Sequence, residues 1–207
     1  MGTNIRAVLF DFGGVLAEEG FREGLKAIGS KNGLDPEECF RAGAETAYDT
    51  GYVIGAVDET EYWNQLRSRT GITGSDSELR HELLSRFILR PWMMETARSV
   101  RKTVQLIGIL SDQSNWLDEL DERYDFFKEF DYVFNSYYEG NAKRDASFFT
   151  QISNKLELAP SDILFFDDNA GHIERAESVG MHARLFEDRD KILRDLSEFG
   201  ISVSLGS

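Results

Sequence analysis

Cysteine is nearly missing from these 207 residues: Cys39 stands alone, and proline and histidine occur three times each. One cysteine excludes an internal disulfide and fits a reducing compartment. His81 and His182 show no metal-ligand spacing, and no histidine lies near Cys39 in sequence to make it a nucleophile, so Cys39 reads as core. No apolar stretch approaches a membrane span, and the N-terminal stretch lacks the apolar region of a signal peptide. A soluble, cytoplasmic protein is therefore expected. The glycine patterns of dinucleotide sites and of α/β-hydrolase nucleophile elbows are absent. Basic residues are the minority, 23 Lys and Arg against 37 Asp and Glu, for a formal net charge of −14. Such a chain repels nucleic acid and anionic membranes, which excludes both as main partners. A small anionic ligand stays open, because a few cations or a metal can reverse the local field.

What is present is globular: 41% hydrophobic and 12% aromatic residues, enough for one full core and a smaller subdomain. Ala7 to Phe10 is a short unbroken apolar run that ends in Asp11-Phe12-Gly13-Gly14. That pattern suits a parallel strand buried on both faces, with a carboxylate where the backbone leaves the sheet. A strand-end acid is by itself also an ordinary turn cap. Helical patterns follow without strands: one with Phe21, Leu25 and Ile28, and one from Asp35-Pro36 to about Asp49 that should bury Phe40, Ala44 and Ala47. A third begins at Asp58 and carries Tyr62 and Leu66, and a fourth carries Leu79, Leu83 and Phe87. Residues 17–90 thus read as an all-helical insert. Strands and helices then alternate, with apolar runs at 104–110, 132–134, 163–166 and 182–186. The expected fold is α/β, a Rossmann-like parallel sheet flanked by helices. Its domains are a catalytic core of 1–16 and 91–207 and a helical cap of 17–90.

In a parallel sheet Asp11, Ser111, Lys143 and the pair Asp167-Asp168 all fall at one edge, where open α/β sheets bind ligands. Their chemistry is complementary. An aspartate can form an aspartyl-phosphate. A hard dication takes carboxylate, water and phosphate oxygens. A hydroxyl and an ammonium suit the phosphoryl oxygens.

The stretches D-F-G-G-V-L, S-D, the lysine of G-N-A-K-R-D, and F-F-D-D-N before G-H-I-E-R-A-E-S-V-G-M resemble the four motifs of the haloacid dehalogenase superfamily. The match covers most of 5–16 and 104–186, and the insert sits where members with a C1-type helical cap carry it. The spacing is most similar to small sugar-phosphate phosphatases of the α-D-glucose-1-phosphate phosphatase-like kind. The resemblance implies Asp11 as nucleophile and Ser111 and Lys143 as catalytic, phosphoryl-binding groups, with Asp112 beside them at the substrate. It implies Mg²⁺ as cofactor on Asp11, Asp167, Asp168 and the carbonyl of Gly13. The expected reaction is Mg²⁺-dependent hydrolysis of a small phosphorylated metabolite.

Most phosphatases of the superfamily carry an acid two residues after the nucleophile; here that residue is Gly13. Positioned proton transfer contributes typically ~10²–10⁴-fold. Its loss matters least for an acidic leaving oxygen, which points to a sugar 1-phosphate. Asp112 stands where many relatives have asparagine and is a candidate for the missing acid. Arg144 reads as a solvated charge, His172 as a polar residue of a helix start, and Tyr48, Tyr52 and Trp92 as packing. Two alternatives stay open: a dehalogenase whose Asp11 attacks carbon, and a phospho-ligand-binding protein whose chemistry has decayed. Neither substrate identity nor oligomeric state is legible.

Overall fold

The computed structural model describes residues 5–204. β1 (Ala7–Phe10) leads into an insert of four α-helices: α1 (Gly20–Lys31), α2 (Pro36–Asp49), α3 (Glu59–Thr70) and α4 (Asp76–Leu84). Then follow α5 (Pro91–Val100), β2 (Leu106–Ser111), α6 (Trp116–Tyr124), β3 (Tyr132–Asn135) and the single turn α7 (Ser136–Glu139). The chain continues through α8 (Ala146–Leu156), β4 (Ile163–Asp167), α9 (Ala170–Ser178), β5 (His182–Leu185) and α10 (Arg189–Glu198). The five strands form one parallel sheet in the order β3-β2-β1-β4-β5. β1, β2 and β4 are buried along their whole length, the physical reason for their unbroken apolar runs. Val8, Phe10, Ile107, Ile109, Leu164 and Phe166 face one apolar cluster, while Ala7, Leu9, Leu110, Ile163 and Phe165 face the other. The second cluster is closed by α8 and α9 through Phe148, Phe149, Ile152 and Ala176.

Helix starts in the insert follow local chemistry. The Asp35 and Asp58 carboxylates accept the N–H groups of Glu38 and Glu61, and Ser75 with Glu78 forms a capping box. α2 departs from expectation in which side chains it buries. Cys39, Gly43, Thr46 and Ala47 face the interior, whereas Phe40 and Ala44 are only half-buried. The smaller residues let α2 lie close to α1, where a Cβ on Gly43 would stand 2.5 Å from Leu25. α4 ends at Leu84, so Phe87 lies beyond it, yet it is fully buried and stacks on Phe12 at 5.8 Å.

The insert joins the sheet domain through two short paired segments. Glu18 N–H donates to the Ile88 carbonyl and Arg90 N–H to the Leu16 carbonyl, each at 2.9 Å, around an Ala17–Leu89 bridge. The Arg90 guanidinium donates to both Glu18 carboxylate oxygens at 2.9 Å and to the Gly14 and Val15 carbonyls. The first apolar cluster runs without interruption into the insert: Trp116 of α6 packs on Tyr52, Tyr62 and Trp63 at 5.3, 5.8 and 5.6 Å. Among the described residues no helix is long and apolar enough to cross a membrane.

Candidate active site

The sheet register sets the site. Phe10 pairs with both Ile109 and Phe166, so the next residue, Asp11, leaves the sheet beside Asp167. Asp11 N–H still donates to the Phe166 carbonyl at 2.9 Å. Ser111 closes β2, and Lys143 comes from the loop between α7 and α8. All four side chains are buried, Lys143 and Asp167 completely. Ser111 Oγ donates to Asp11 Oδ1 at 2.6 Å, and Phe12 N–H donates to the same oxygen at 2.7 Å. Lys143 Nζ lies 2.8 Å from Asp11 Oδ2 and also pairs with Asp167 Oδ2. His172 Nδ1, from the first turn of α9, is 3.1 Å from both Asp167 oxygens.

Charge in this cluster is unbalanced. Asp11, Asp167 and Asp168 offer carboxylate oxygens within 4.8 Å of one another, and Lys143 is the cation facing them. Burial pushes the Asp11 carboxyl well up, against the pull of Lys143, and the two neighbouring aspartates add to the rise. Burial acts the same way on Asp167, but Lys143 and His172 outweigh it and hold that carboxyl low. Asp168 is raised by burial and by Asp167. Burial would lower Lys143, yet Asp11, Asp167 and Asp112 hold its ammonium firmly charged. Three clustered carboxylates against one ammonium are the donor set that a hard divalent cation takes, so the residues present fit Mg²⁺.

The glycine pair shapes the approach to this cluster. Gly14 is left-handed, with φ +77°, and a Cβ there would stand 2.0 Å from Asp168 Oδ2. A Cβ on Gly13 would meet Glu19 Oε1 at 3.0 Å and Phe87 at 3.5 Å. Glu19 is the residue that sequence reasoning missed. Along the extended hinge, neighbouring side chains point to opposite sides. Glu18 turns to Arg90, and Glu19 lines the cavity that holds Asp11. Burial pushes its carboxyl up to about 7, with Asp168 adding to the effect. No ordinary sequence signal marks this, because the pairing of 16–18 with 88–90 joins segments far apart in the chain.

Asp112 lines the same cavity as Asp11, Ser111 and Lys143 and also links two other elements. Its Oδ1 accepts the Lys143 N–H at 2.9 Å and its Oδ2 accepts the Tyr48 O–H at 2.7 Å. Through these two contacts Asp112 ties α2 to the end of β2 and to the lysine loop. Tyr48 and Tyr52 line the cavity rather than serving only as packing, while Trp92 stacks on Phe186 at 6.1 Å. Arg144 is not merely solvated: its guanidinium lies 3.3 Å from the centre of the Tyr48 ring. His172 also lines this cavity, whose volume is about 630 Å³.

The sequence model of the haloacid dehalogenase-like hydrolases matches residues 5–180. The chain belongs to this family. The hydrolase is 25% identical over 154 residues to flavin mononucleotide hydrolase 1 of Arabidopsis thaliana, covering 73% of this chain and 61% of that protein. It spans from 30% to 61% of the length of the first three curated relatives that it matches. Its fold is that of a HAD family enzyme from Bacteroides thetaiotaomicron solved with magnesium and inorganic phosphate. The TM-score is 0.72 at 18% identity, covering 92% of this chain and 100% of that one. L-2-haloacid dehalogenase from Xanthobacter autotrophicus shares the fold too, at TM-score 0.66 and 16% identity over 96% of this chain and 84% of that one. At these identities the likeness to solved structures is one of fold. The helical insert between β1 and β2 is the cap of that fold.

Proposed function

We propose that this hydrolase is a Mg²⁺-dependent phosphatase acting on a small organic phosphomonoester through an aspartyl-phosphate on Asp11. The carrying observation is the convergence of Ser111 and Lys143 on Asp11, beside the Asp167 and Asp168 carboxylates. The magnesium and phosphate of the Bacteroides enzyme, and the phosphate ester named for the Arabidopsis relative, support the reading. Asp11, Asp167 and Asp168 would hold the metal, with the Gly13 carbonyl as a further ligand. Bound there, Mg²⁺ supplies the positive charge that lets an anionic nucleophile approach an anionic ester.

The chain's own groups divide the remaining work. Ser111 Oγ and Lys143 Nζ orient the phosphoryl oxygens and offset the charge that develops on them. Asp11 Oδ attacks phosphorus as the bond to the leaving oxygen breaks. Glu19 stands where Gly13 offers no side chain, and its carboxyl gives the leaving oxygen a proton. The Glu19 carboxylate then takes a proton from the water that attacks the phosphorus, the phosphorus–Asp11 bond breaks, and orthophosphate leaves. The bare Gly13 argued for a sugar 1-phosphate, whose leaving oxygen needs little help. Glu19 removes the force of that argument, since an acid reaches the same space from the hinge. The division into a core of 1–16 and 91–207 and a cap of 17–90 belongs to the same proposal, with the 16–18 and 88–90 segments as its hinge.

A phosphatase screen with and without Mg²⁺, with Asp11→Asn as control, tests this. The expected result is phosphate release that needs both Mg²⁺ and Asp11. Turnover that survives a chelator or survives Asp11→Asn overturns the mechanism, and chelator-resistant release of halide from haloacids makes the protein a dehalogenase. Ligand binding without turnover on any ester makes it a decayed binding protein.

A further inference from the structure

Away from the phosphoryl end, the cap walls the cavity, and the chemistry of that wall is one-sided. Phe21, Phe40, Ala44, Ala47 and the ring of Tyr48 form it. Phe21 and Phe40 meet edge to face with centroids 6.4 Å apart, and both are only half-buried although they are large and apolar. They sit at the edge of the first apolar cluster and line the cavity with the rest of their surface.

Neutral hydrogen-bonding groups are missing from the same wall. No Ser, Thr, Asn or Gln of the insert lines the cavity among the described residues. The two tyrosines that do so have their hydroxyls engaged by the sheet domain, Tyr48 on Asp112 and Tyr52 on Asn115, each at 2.7 Å. The Arg144 guanidinium lies over the Tyr48 ring, and Tyr52 is buried and stacked on Tyr62. The insert's other polar contributions are the charges of Glu19 and Arg22, and Arg22 is paired with Glu37 at 3.2 Å and lies 4.9 Å over the Phe40 ring. A polyol pressed against this wall would lose its water and find few partners for its hydroxyls. A hydrocarbon or an aromatic plane would lose nothing and bury apolar surface. The cavity's volume of about 630 Å³ also exceeds what a phosphate alone needs.

We propose that the substrate is the phosphomonoester of an alcohol with an apolar body, aromatic or isoprenoid, and that the cap wall selects against sugar and polyol phosphates. The proposal rests on the phosphatase reading for the phosphoryl end, and on the wall alone for the body. It replaces the sugar 1-phosphate expected from the glycine at position 13.

Two measurements on the full chain with Mg²⁺ test it. The first is kcat/KM for 1-naphthyl phosphate, geranyl phosphate, glucose 1-phosphate and glycerol phosphate, with acetyl phosphate as a phosphoryl donor lacking a large body. The second is calorimetric binding of unreactive phosphonates, 1-naphthylmethylphosphonate and geranylphosphonate against 2,3-dihydroxypropylphosphonate. At least one apolar ligand is expected to exceed the polyol partners by tenfold or more in both, and Phe40→Asn is expected to narrow that ratio. Which apolar ligand leads separates an aromatic from an isoprenoid body. Equal or better use of the polyol compounds overturns the proposal. Absence of Asp11-dependent acetyl phosphate turnover counts against the phosphatase reading instead, and the phosphonate ratio still decides the wall.

Discussion

Lys143 brings a single positive charge into a buried cluster of carboxylates, and the site's stability and chemistry both depend on it. Replacing it with methionine keeps the volume and leaves Asp11 and Asp167 facing each other without a counter-charge. Removing one partner of a buried pair typically destabilises by ~3–5 kcal/mol. Lys143→Met is therefore expected to lower the unfolding free energy measured in urea by an amount of that order and to abolish turnover; an unchanged midpoint and slope would mean that the pair contributes little to folding. Gly14 is the second sensitive position. Alanine there must hold φ +77° and would place its Cβ 2.0 Å from Asp168 Oδ2, so Asp168 has to move. Left-handed strain of roughly 1–2 kcal/mol is expected in Gly14→Ala, together with Mg²⁺ binding weakened at least tenfold in a calorimetric titration. Legibility at this scale follows position. Asp11, Ser111 and Asp167 could be read because they end apolar runs, and the sheet carries strand ends to one edge. Glu19 could not, because nothing near it in sequence tells which way an extended hinge residue turns. Asp112 could be placed beside Ser111, but its link to Tyr48 could not, since that partner lies on another element.

The cap helices show how element-scale pattern and packing diverge. Apolar spacing located α1 to α4, and Asp35 and Asp58 marked the starts of α2 and α3. What the spacing did not show is that α1 packs through its glycines. A Cβ on Gly24 would stand 2.6 Å from the Leu83 backbone, and one on Gly20 would meet the Phe87 ring at 2.4 Å. In an exposed helix Gly→Ala stabilises by up to ~1 kcal/mol through propensity. Here the opposite sign is expected, because backbone lies in the way and overpacking of this kind costs about 1–3 kcal/mol. Gly24→Ala should lower the thermal midpoint, and a rise in Tm would show that α1 and α4 can separate at little cost. The same close packing explains why Phe40 and Ala44 were misread as core. Helix α2 approaches α1 through its small residues, and its larger ones are thereby turned toward the cavity.

For the whole molecule, the apolar cluster that crosses from sheet to cap argues against two independent folding units. Phe12 stacks on Phe87 at 5.8 Å and on Phe126 at 5.0 Å, and Trp116 sits within a cage of cap aromatics. Domains joined by a small polar interface can unfold separately, whereas a large apolar interface couples them. Thermal and urea unfolding are therefore expected to show one transition, superimposable by tryptophan fluorescence and far-ultraviolet circular dichroism. Trp63 and Trp116 report on the seam between cap and sheet, so an early fluorescence transition would reveal a cap that melts alone. Mg²⁺ should move that single transition as a unit. A ligand that binds only the folded state stabilises it by ~2.7 kcal/mol at a hundredfold excess over its dissociation constant. Its effect should reach the cap because the carboxylate cluster and the cap share the hinge at Gly14, Arg90 and Glu18. In Asp168→Asn the Mg²⁺-dependent shift is expected to shrink while the transition stays single. A full shift in that variant would take Asp168 out of the metal site, and a transition split by Mg²⁺ would separate the cap from the core.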